Sequence, residues 1–365
     1  MFFTLLRRLS AGLFATLRGF SRRGGTWVQA RPALAAWVYG DPDEADRISE
    51  AELAEENYRD FNHRYFAGFG EQEKMLADGP RMAFYAAAVA RRVRRGDRVI
   101  DLGTGTGILA AFAAKSGAAR VYALDHSDIL RQARRLAEAN GLAGVEFIAT
   151  HSRDFTLPER VDVILHEQMG DYLFDEAMVA NVIDLRERLL RPGGVIVPSC
   201  FEFYCEPAKV REERRIPFLW ELNVQGYDYA CLEDERPDNP DYYRHIGCDP
   251  GMIEHFLGEA APALKIDLMT LQSDEPACEL SVVRTVVKPG RLDGFVVFFR
   301  ALEGDDLVLS SSPLDAGRAP HWGFRILRTE AADFKAGEVI TLTLRVGSWA
   351  EPSGWRWSWK RSAGG

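Results

Sequence analysis

VIDLGTGTG, residues 99–107, decides the fold: an apolar run meets glycine at positions 103, 105 and 107 and passes directly into the helical pattern ILAAFAAKSG. Glycines at such a turn let the chain reverse sharply and let a ligand lie against main-chain N–H groups, because no Cβ stands in the way. Alone, the loop is shared by several nucleotide-binding families and by plain tight turns. Its neighbours narrow the choice. Upstream, RMAFYAAAVARRV has helical spacing. Downstream come the strand RVYALD, the helix SDILRQARRLAEANG, the strands VEFIAT and VDVILHE, the helix DEAMVANVIDLRERLL and the segment RPGGVIVPS. This alternation predicts an α/β doubly wound, Rossmann-like parallel sheet over about residues 70–200.

After Pro198 the periodicity falls to two, in FEFYCEP, LSVVRTVV, DGFVVFFRAL, DLVLSSS, VITLTLRVGSW and WRWSWK, with Gly, Pro and Asp turns between them. An antiparallel β-barrel or sandwich is expected there. A polar, helical-looking insertion at about residues 233–260 reads as an arm toward a partner subunit. The expected plan is a basic amphipathic segment over residues 1–50, a cofactor-binding domain over 51–198, and a β-barrel substrate domain over 199–365 that carries the arm.

Charge separates the ends of the chain. The first 40 residues hold six arginines and no acid, so with −9 overall the remaining 325 carry −15. An acidic body lacks the basic stripe of a nucleic-acid binder and suits a cationic substrate. Five cysteines without a C-x-x-C pair suggest neither a disulfide framework nor a zinc site, and point to a reducing, cytoplasmic setting. Phe2, Leu5, Leu6, Leu9, Leu13, Leu17 and Phe20 recur at helical spacing opposite arginines. Residues 1–23 therefore read as a helix docked on the protein, a peripheral membrane contact, or an organelle transit segment.

The acids around the glycine loop specify a ligand. Asp101 precedes Gly103, where a carboxylate meets a cationic group, and Asp125 ends the next strand, placed to accept both hydroxyls of a ribose. A pyrophosphate would be repelled by Asp101, which favours S-adenosylmethionine over a dinucleotide. Arg81 is a candidate partner for the ligand's carboxylate, and Asp154 a candidate for its adenine edge.

HEQMGDYLFDE, residues 166–176, raises a second question, since Glu167 ends a buried strand and Glu176 returns nine positions later. Singly, each has an ordinary reading as a solvated strand end, a helix-start acid or a metal ligand. Together they suit a guanidinium, a planar cation whose donors match carboxylates two at a time. Two carboxylates hold its plane and draw charge toward the bonded nitrogens, leaving the remaining one more nucleophilic. A carboxylate and imidazole pair beside such a clamp could take the released proton.

These residues fall on motifs that resemble the protein arginine N-methyltransferase family over about residues 55–360: MLADGPR, VIDLGTGTGILAAFAAKSGA, YALDHS, HEQMGDYLFDEAM, GGVIVPS, WELNVQGYDYACLED and SSSPLDAGRAPHWGF. The resemblance implies that Glu167 and Glu176 clamp the substrate guanidinium. It also implies that the His-Trp pair falls on His321 and Trp322, with His321 meeting Asp78 as a pair that accepts the released proton or braces the site, that Trp322 and Met178 contact the substrate, and that Met75 lies by the cofactor, both methionines lining the active site. A head-to-tail homodimer through the arm is implied as well. The chain departs from the family pattern at Gln72, Gln168 and Pro320, where the family carries His, Trp and Thr, and in placing Arg153 beside Asp154. The leading expectation is methyl transfer to arginine in a protein or peptide; a small guanidino or amino acceptor, and a non-catalytic binding protein on the same scaffold, stand as alternatives.

Overall fold

The computed structural model describes residues 66–174, 176–245, 249–272 and 278–362. The basic start over residues 1–50, with the membrane contact expected of residues 1–23, lies outside them. Two helices come first, α1 (Phe69–Ala77) and α2 (Gly79–Arg92), followed by β1 (Arg98–Leu102), α3 (Ile108–Lys115), β2 (Arg120–Asp125), α4 (Leu130–Ala139), β3 (Val145–Ala149), β4 (Val161–His166), α5 (Met178–Leu189) and β5 (Leu190–Val197). The five strands are all parallel, in the order β3-β2-β1-β4-β5. The chain adds strands outward on one side of β1 and then returns to the other. A crevice therefore opens at the carboxyl ends of β1 and β4, where such sheets bind ligands.

Local chemistry sets the element boundaries. Asp78 caps α2 by accepting the Arg81 N–H at 3.0 Å, with Pro80 in the first turn where its missing N–H costs nothing. Gly107, at φ 88°, starts α3, and a Cβ there would sit 2.9 Å from the Phe147 ring, so the turn accepts only glycine.

The second half comprises β6 (Cys200–Val210), the hairpin of β7 (Asn223–Val224) and β8 (Tyr227–Asp228), then β9 (Arg244–His245), β10 (Ile253–Phe256), β11 (Leu264–Asp267), β12 (Glu279–Thr285), β13 (Gly290–Glu303), β14 (Leu307–Ser310), β15 (Arg325–Phe334), β16 (Val339–Arg345) and β17 (Arg356–Ser362). It is antiparallel, as its period-two segments imply. The strands form a seven-stranded sheet, β10-β6-β13-β15-β9 with β11 on β6 and β14 on β13, and a three-stranded sheet, β12-β16-β17, instead of one closed ladder. Alternation sorts side chains to two apolar layers. Phe201, Phe203, Phe295, Val297 and Phe299 join the main core, while Tyr204, Val296 and Phe298 pack on the opposite face of the same sheet.

The insertion expected to be helical contains only 3₁₀ turns and the short strands β9 and β10 among its described residues. Asn239 and Asp249 cap two of those turns, Pro240 and Pro250 open them, and together they leave no uninterrupted run for an α-helix. The WRWSWK tail is β17 with Trp355 just before it. Trp357 and Trp359 donate their indole N–H groups to the Arg328 carbonyl and Thr329 Oγ1, which holds the strand against β15.

Candidate active site

The crevice brings together the ends of β1 and β4, the α1–α2 corner and the segment before β15. Asp101, fully buried at the end of β1, braces the glycine loop: its Oδ2 accepts Thr104 Oγ1–H at 2.5 Å and the Ala110 N–H at 2.9 Å. Burial pushes this carboxyl up to about 7, against the pull of those two donors. Gly103, Gly105 and Gly107 follow with φ of 70°, 54° and 88°. Asp125, at the end of β2, accepts the Gly105 N–H at 2.9 Å and the Ser127 N–H at 2.8 Å, one on each oxygen. The carboxylate expected to meet a ribose thus first fixes the loop beneath it.

Arg81 is 5% exposed. It donates Nη1–H to the Met75 carbonyl at 2.9 Å, pairs through Nη2 with Glu167, and stands over the rings of Tyr85 and Trp322. Desolvation acts to lower its pKa, yet Glu167 outweighs it and the guanidinium is held more firmly charged than usual. Met75 is buried with its sulfur 3.8 Å from Arg81 Nη2.

Four polar atoms around the glycine loop are buried without a hydrogen-bond partner among the described residues, Arg81 Nε, Asp101 Oδ1, Ser127 Oγ and Gln168 Oε1, as is Nδ1 of His166 at the end of β4. Gln168 flanks Gly103, and Gln72 flanks Gly105. One donor cation, a carboxyl oxygen, a hydroxyl and an amide oxygen around a glycine loop match a ligand with carboxylate, ammonium and ribose groups. Each unmet group costs about 1–3 kcal/mol until something satisfies it. The donor set therefore fits S-adenosylmethionine. Asp154, the candidate for the adenine edge, is exposed at the end of a 3₁₀ turn, Ser152–Asp154.

Glu167 leaves β4 with its side chain 9% exposed, Oε2 on Arg81 and Oε1 3.4 Å from the Met169 N–H. The loop then doubles back through a bridge between Gly170 and Leu173 and delivers Glu176, half-buried, one residue before Ala177 at φ 54° and the start of α5. The apolar residues between the two glutamates anchor the loop. Tyr172 packs edge-on against Trp355 and Phe174 against Trp349, at 5.2 and 4.6 Å between ring centroids.

Three expected roles are corrected. Asp78 does not meet the imidazole of His321: its oxygens accept the main-chain N–H groups of Arg81 and His321, the latter at 2.9 Å. A short carboxylate at a helix cap is consumed by backbone donors. Trp322, expected at the substrate, is 2% exposed and donates its indole N–H to the Met169 carbonyl, bracing the loop from behind. Met178, expected to line the site, is fully buried in the core at the start of α5.

Sequence reading missed Tyr85, His166, Asp171 and Arg325. Tyr85, four residues after Arg81 on α2, donates its O–H to the His166 carbonyl at 3.2 Å, and that helical spacing was the available signal. Buried His166 gives its Nε2–H to the Pro198 carbonyl at 2.8 Å, and burial pushes its imidazole down to about 4. Asp171 accepts the Gly323 N–H at 2.7 Å and pairs with Arg325, tying the glutamate loop to β15.

The methyltransferase domain family matches residues 99–194. Protein arginine N-methyltransferase PRMT10 of Oryza sativa subsp. japonica is 32% identical over 310 residues, covering 75% of this chain and 80% of that protein. Protein arginine N-methyltransferase 1 of Dictyostelium discoideum is 29% identical over 83% of this chain and 87% of its own length. Among solved structures, Arabidopsis thaliana protein arginine methyltransferase 10, described as uniquely open, superposes with a TM-score of 0.64 at 26% identity, covering 81% of this chain and 98% of that one. The Trypanosoma brucei PRMT1 enzyme–prozyme heterotetrameric complex with AdoHcy gives a TM-score of 0.66 at 24% identity, covering 77% and 88%.

Proposed function

Because the chain belongs to the protein arginine N-methyltransferase family, we propose that it methylates a guanidino nitrogen of arginine in a protein or peptide, with S-adenosylmethionine as donor. The observation that carries this reading is the placement of Glu167: it leaves β4 at the switch point of the sheet, already bound to a buried arginine, on the loop that also carries Glu176.

When bound, S-adenosylmethionine supplies a methyl group made electrophilic by its sulfonium. Arg81 would hold the cofactor's carboxylate through its unmet Nε–H, Asp101 Oδ1 its ammonium, and Asp125 its ribose. The chain's own work is positioning and electrostatics. Glu167, with Oε2 fixed by Arg81, keeps Oε1 for the substrate cation, and Glu176 supplies the second anionic partner. Together the two carboxylates would orient the guanidinium plane. They also concentrate its positive charge on the bonded nitrogens. His321 accepts the proton that methylation releases.

Association with a second copy is proposed on the precedent of the T. brucei relative, which is solved as a heterotetramer. A reducing cytoplasmic setting is proposed on the free thiols of Cys200, Cys205, Cys231 and Cys278.

Incubation with labelled S-adenosylmethionine and arginine peptides, with matched lysine peptides and free arginine as controls, tests the activity. Label is expected on the arginine peptides alone, and a Glu167→Gln variant is expected to lose at least about 100-fold in kcat. Wild-type turnover by that variant would refute the clamp.

A further inference from the structure

His321 is the proton acceptor in the proposed reaction, yet the carboxylate expected to serve it is otherwise engaged. Asp78 spends both oxygens on main-chain donors. The imidazole faces a different acid: its Nδ1 lies 4.0 Å from Oε1 of Glu71, on the first turn of α1, with the side chains 13% and 9% exposed. Glu71 is itself steadied from the far side, where Lys74, three residues on, donates to Oε2 at 2.9 Å. Nothing in the sequence motifs marks Glu71, which falls between Gly70 and Gln72 in a stretch that departs from the family pattern.

We propose that Glu71 is the positioning residue for His321, holding the imidazole by its Nδ1 edge and supplying the counter-charge when that ring takes up the substrate proton at Nε2. The inference rests on the methyltransferase reading. In the step concerned, the methylated guanidino nitrogen carries one proton too many. Its N–H bond breaks with the electron pair staying on nitrogen, and the Nε2 lone pair forms the new N–H bond. An imidazolium then exists in a site that excludes most water, where an isolated cation is costly and one anion at about 4 Å offsets much of that cost.

Four charged groups of the described residues act on the ring: Glu167 at the end of β4, Arg81 on α2, Glu71 on α1 and Asp78 between the two helices. Desolvation holds the imidazole below its ordinary pKa and Arg81 adds to that, while the three acids oppose them. The ring is therefore neutral, and able to accept, at the start of the cycle. Glu167 is committed to Arg81 and to substrate, and Asp78 to the backbone. Glu167 acts more strongly on the ring, but among the described residues Glu71 is the acid whose carboxylate comes within 4.0 Å of a ring nitrogen.

The test is an NMR titration of the His321 ring in the full chain, its signal assigned by loss in His321→Asn. Glu71→Gln is expected to lower the His321 pKa by about 1 unit, and Glu71→Asp, which restores the charge, to recover most of that. The acid limb of kcat/KM should move to lower pH by the same amount. An unmoved pKa in folded Glu71→Gln overturns the pairing, and a moved pKa with an unmoved acid limb overturns its part in proton transfer. The titration needs no turnover. Failure of the wild-type chain to label arginine peptides would therefore count against the methyltransferase reading, with the pairing judged on the NMR shift.

Discussion

Replacing Asp171 by alanine removes one side chain that ties the glutamate loop to the β-sheet half. Two contacts go at once: the Gly323 N–H loses its acceptor, and Arg325 keeps, among the described residues, the Phe324 carbonyl at 3.3 Å and the Tyr172 ring. The ion pair is partly exposed, at 16% and 26%, so its Coulombic share is discounted for solvent. The charge-assisted bond to a half-buried N–H remains, and the total loss is about 2 kcal/mol of stability. Asp171→Asn keeps an acceptor for Gly323 and should cost about 1 kcal/mol. Catalysis should suffer more than folding, because Asp171 lies four residues after Glu167 and five before Glu176. A displacement of the order of 1 Å in a positioned carboxylate lowers kcat roughly 10- to 100-fold. The glycine loop and Arg81 are untouched, so the KM for S-adenosylmethionine should hold within a few-fold. Urea unfolding monitored by tryptophan fluorescence and steady-state kinetics with varied cofactor measure both. An Asp171→Ala protein with an unchanged urea midpoint and kcat within twofold of wild type would refute the reasoning.

Asp101, at about 7 in the fold, is roughly half-protonated at neutral pH, and a cofactor ammonium beside it favours the charged form. Calorimetry at pH 7 in buffers of different ionisation enthalpy should therefore show release of about half a proton on S-adenosylmethionine binding, abolished in Asp101→Asn. His166 has its pKa depressed from 6.5 to about 4, so between those values the unfolded chain binds the proton that the folded chain refuses. Stability should fall as pH drops through that window, by about 3 kcal/mol in all, and His166→Gln should flatten the slope in denaturation curves taken from pH 7 to 4. Arg81→Lys keeps the charge but loses the planar fork, and should weaken cofactor binding about tenfold to a hundredfold by titration calorimetry.

The parallel sheet was legible because its signals are local: five apolar strands, glycine turns and helical spacing each lie within a dozen residues. Asp101, Asp125 and Glu167 were legible for the same reason, as each sits at a strand end, the place where this topology gathers ligand groups. Contacts between distant segments were not. Asp78 and His321 do meet, 243 positions apart, but through a main-chain N–H, and no pattern of side-chain types distinguishes that from an imidazole bond. Trp322 was read from its motif as a surface for substrate. Its indole instead answers a carbonyl 153 positions away. The arm misled because helix-compatible residues were interspersed with Pro and Asp caps, whose local hydrogen bonds prevail over helical propensity. Glu71 and Arg325 lie outside any motif, and only the fold brings them to His321 and Asp171.

The tie from Met169 and Asp171 to Trp322, Gly323 and Arg325 makes the two halves of this chain poor candidates for separate inheritance. A hybrid that joined this parallel sheet to the C-terminal half of a relative would keep its affinity for the nucleoside but place its glutamates wherever the foreign strand allowed. Drift in the loop and drift at the head of β15 must therefore proceed in step, and lineages that part at one end should part at the other.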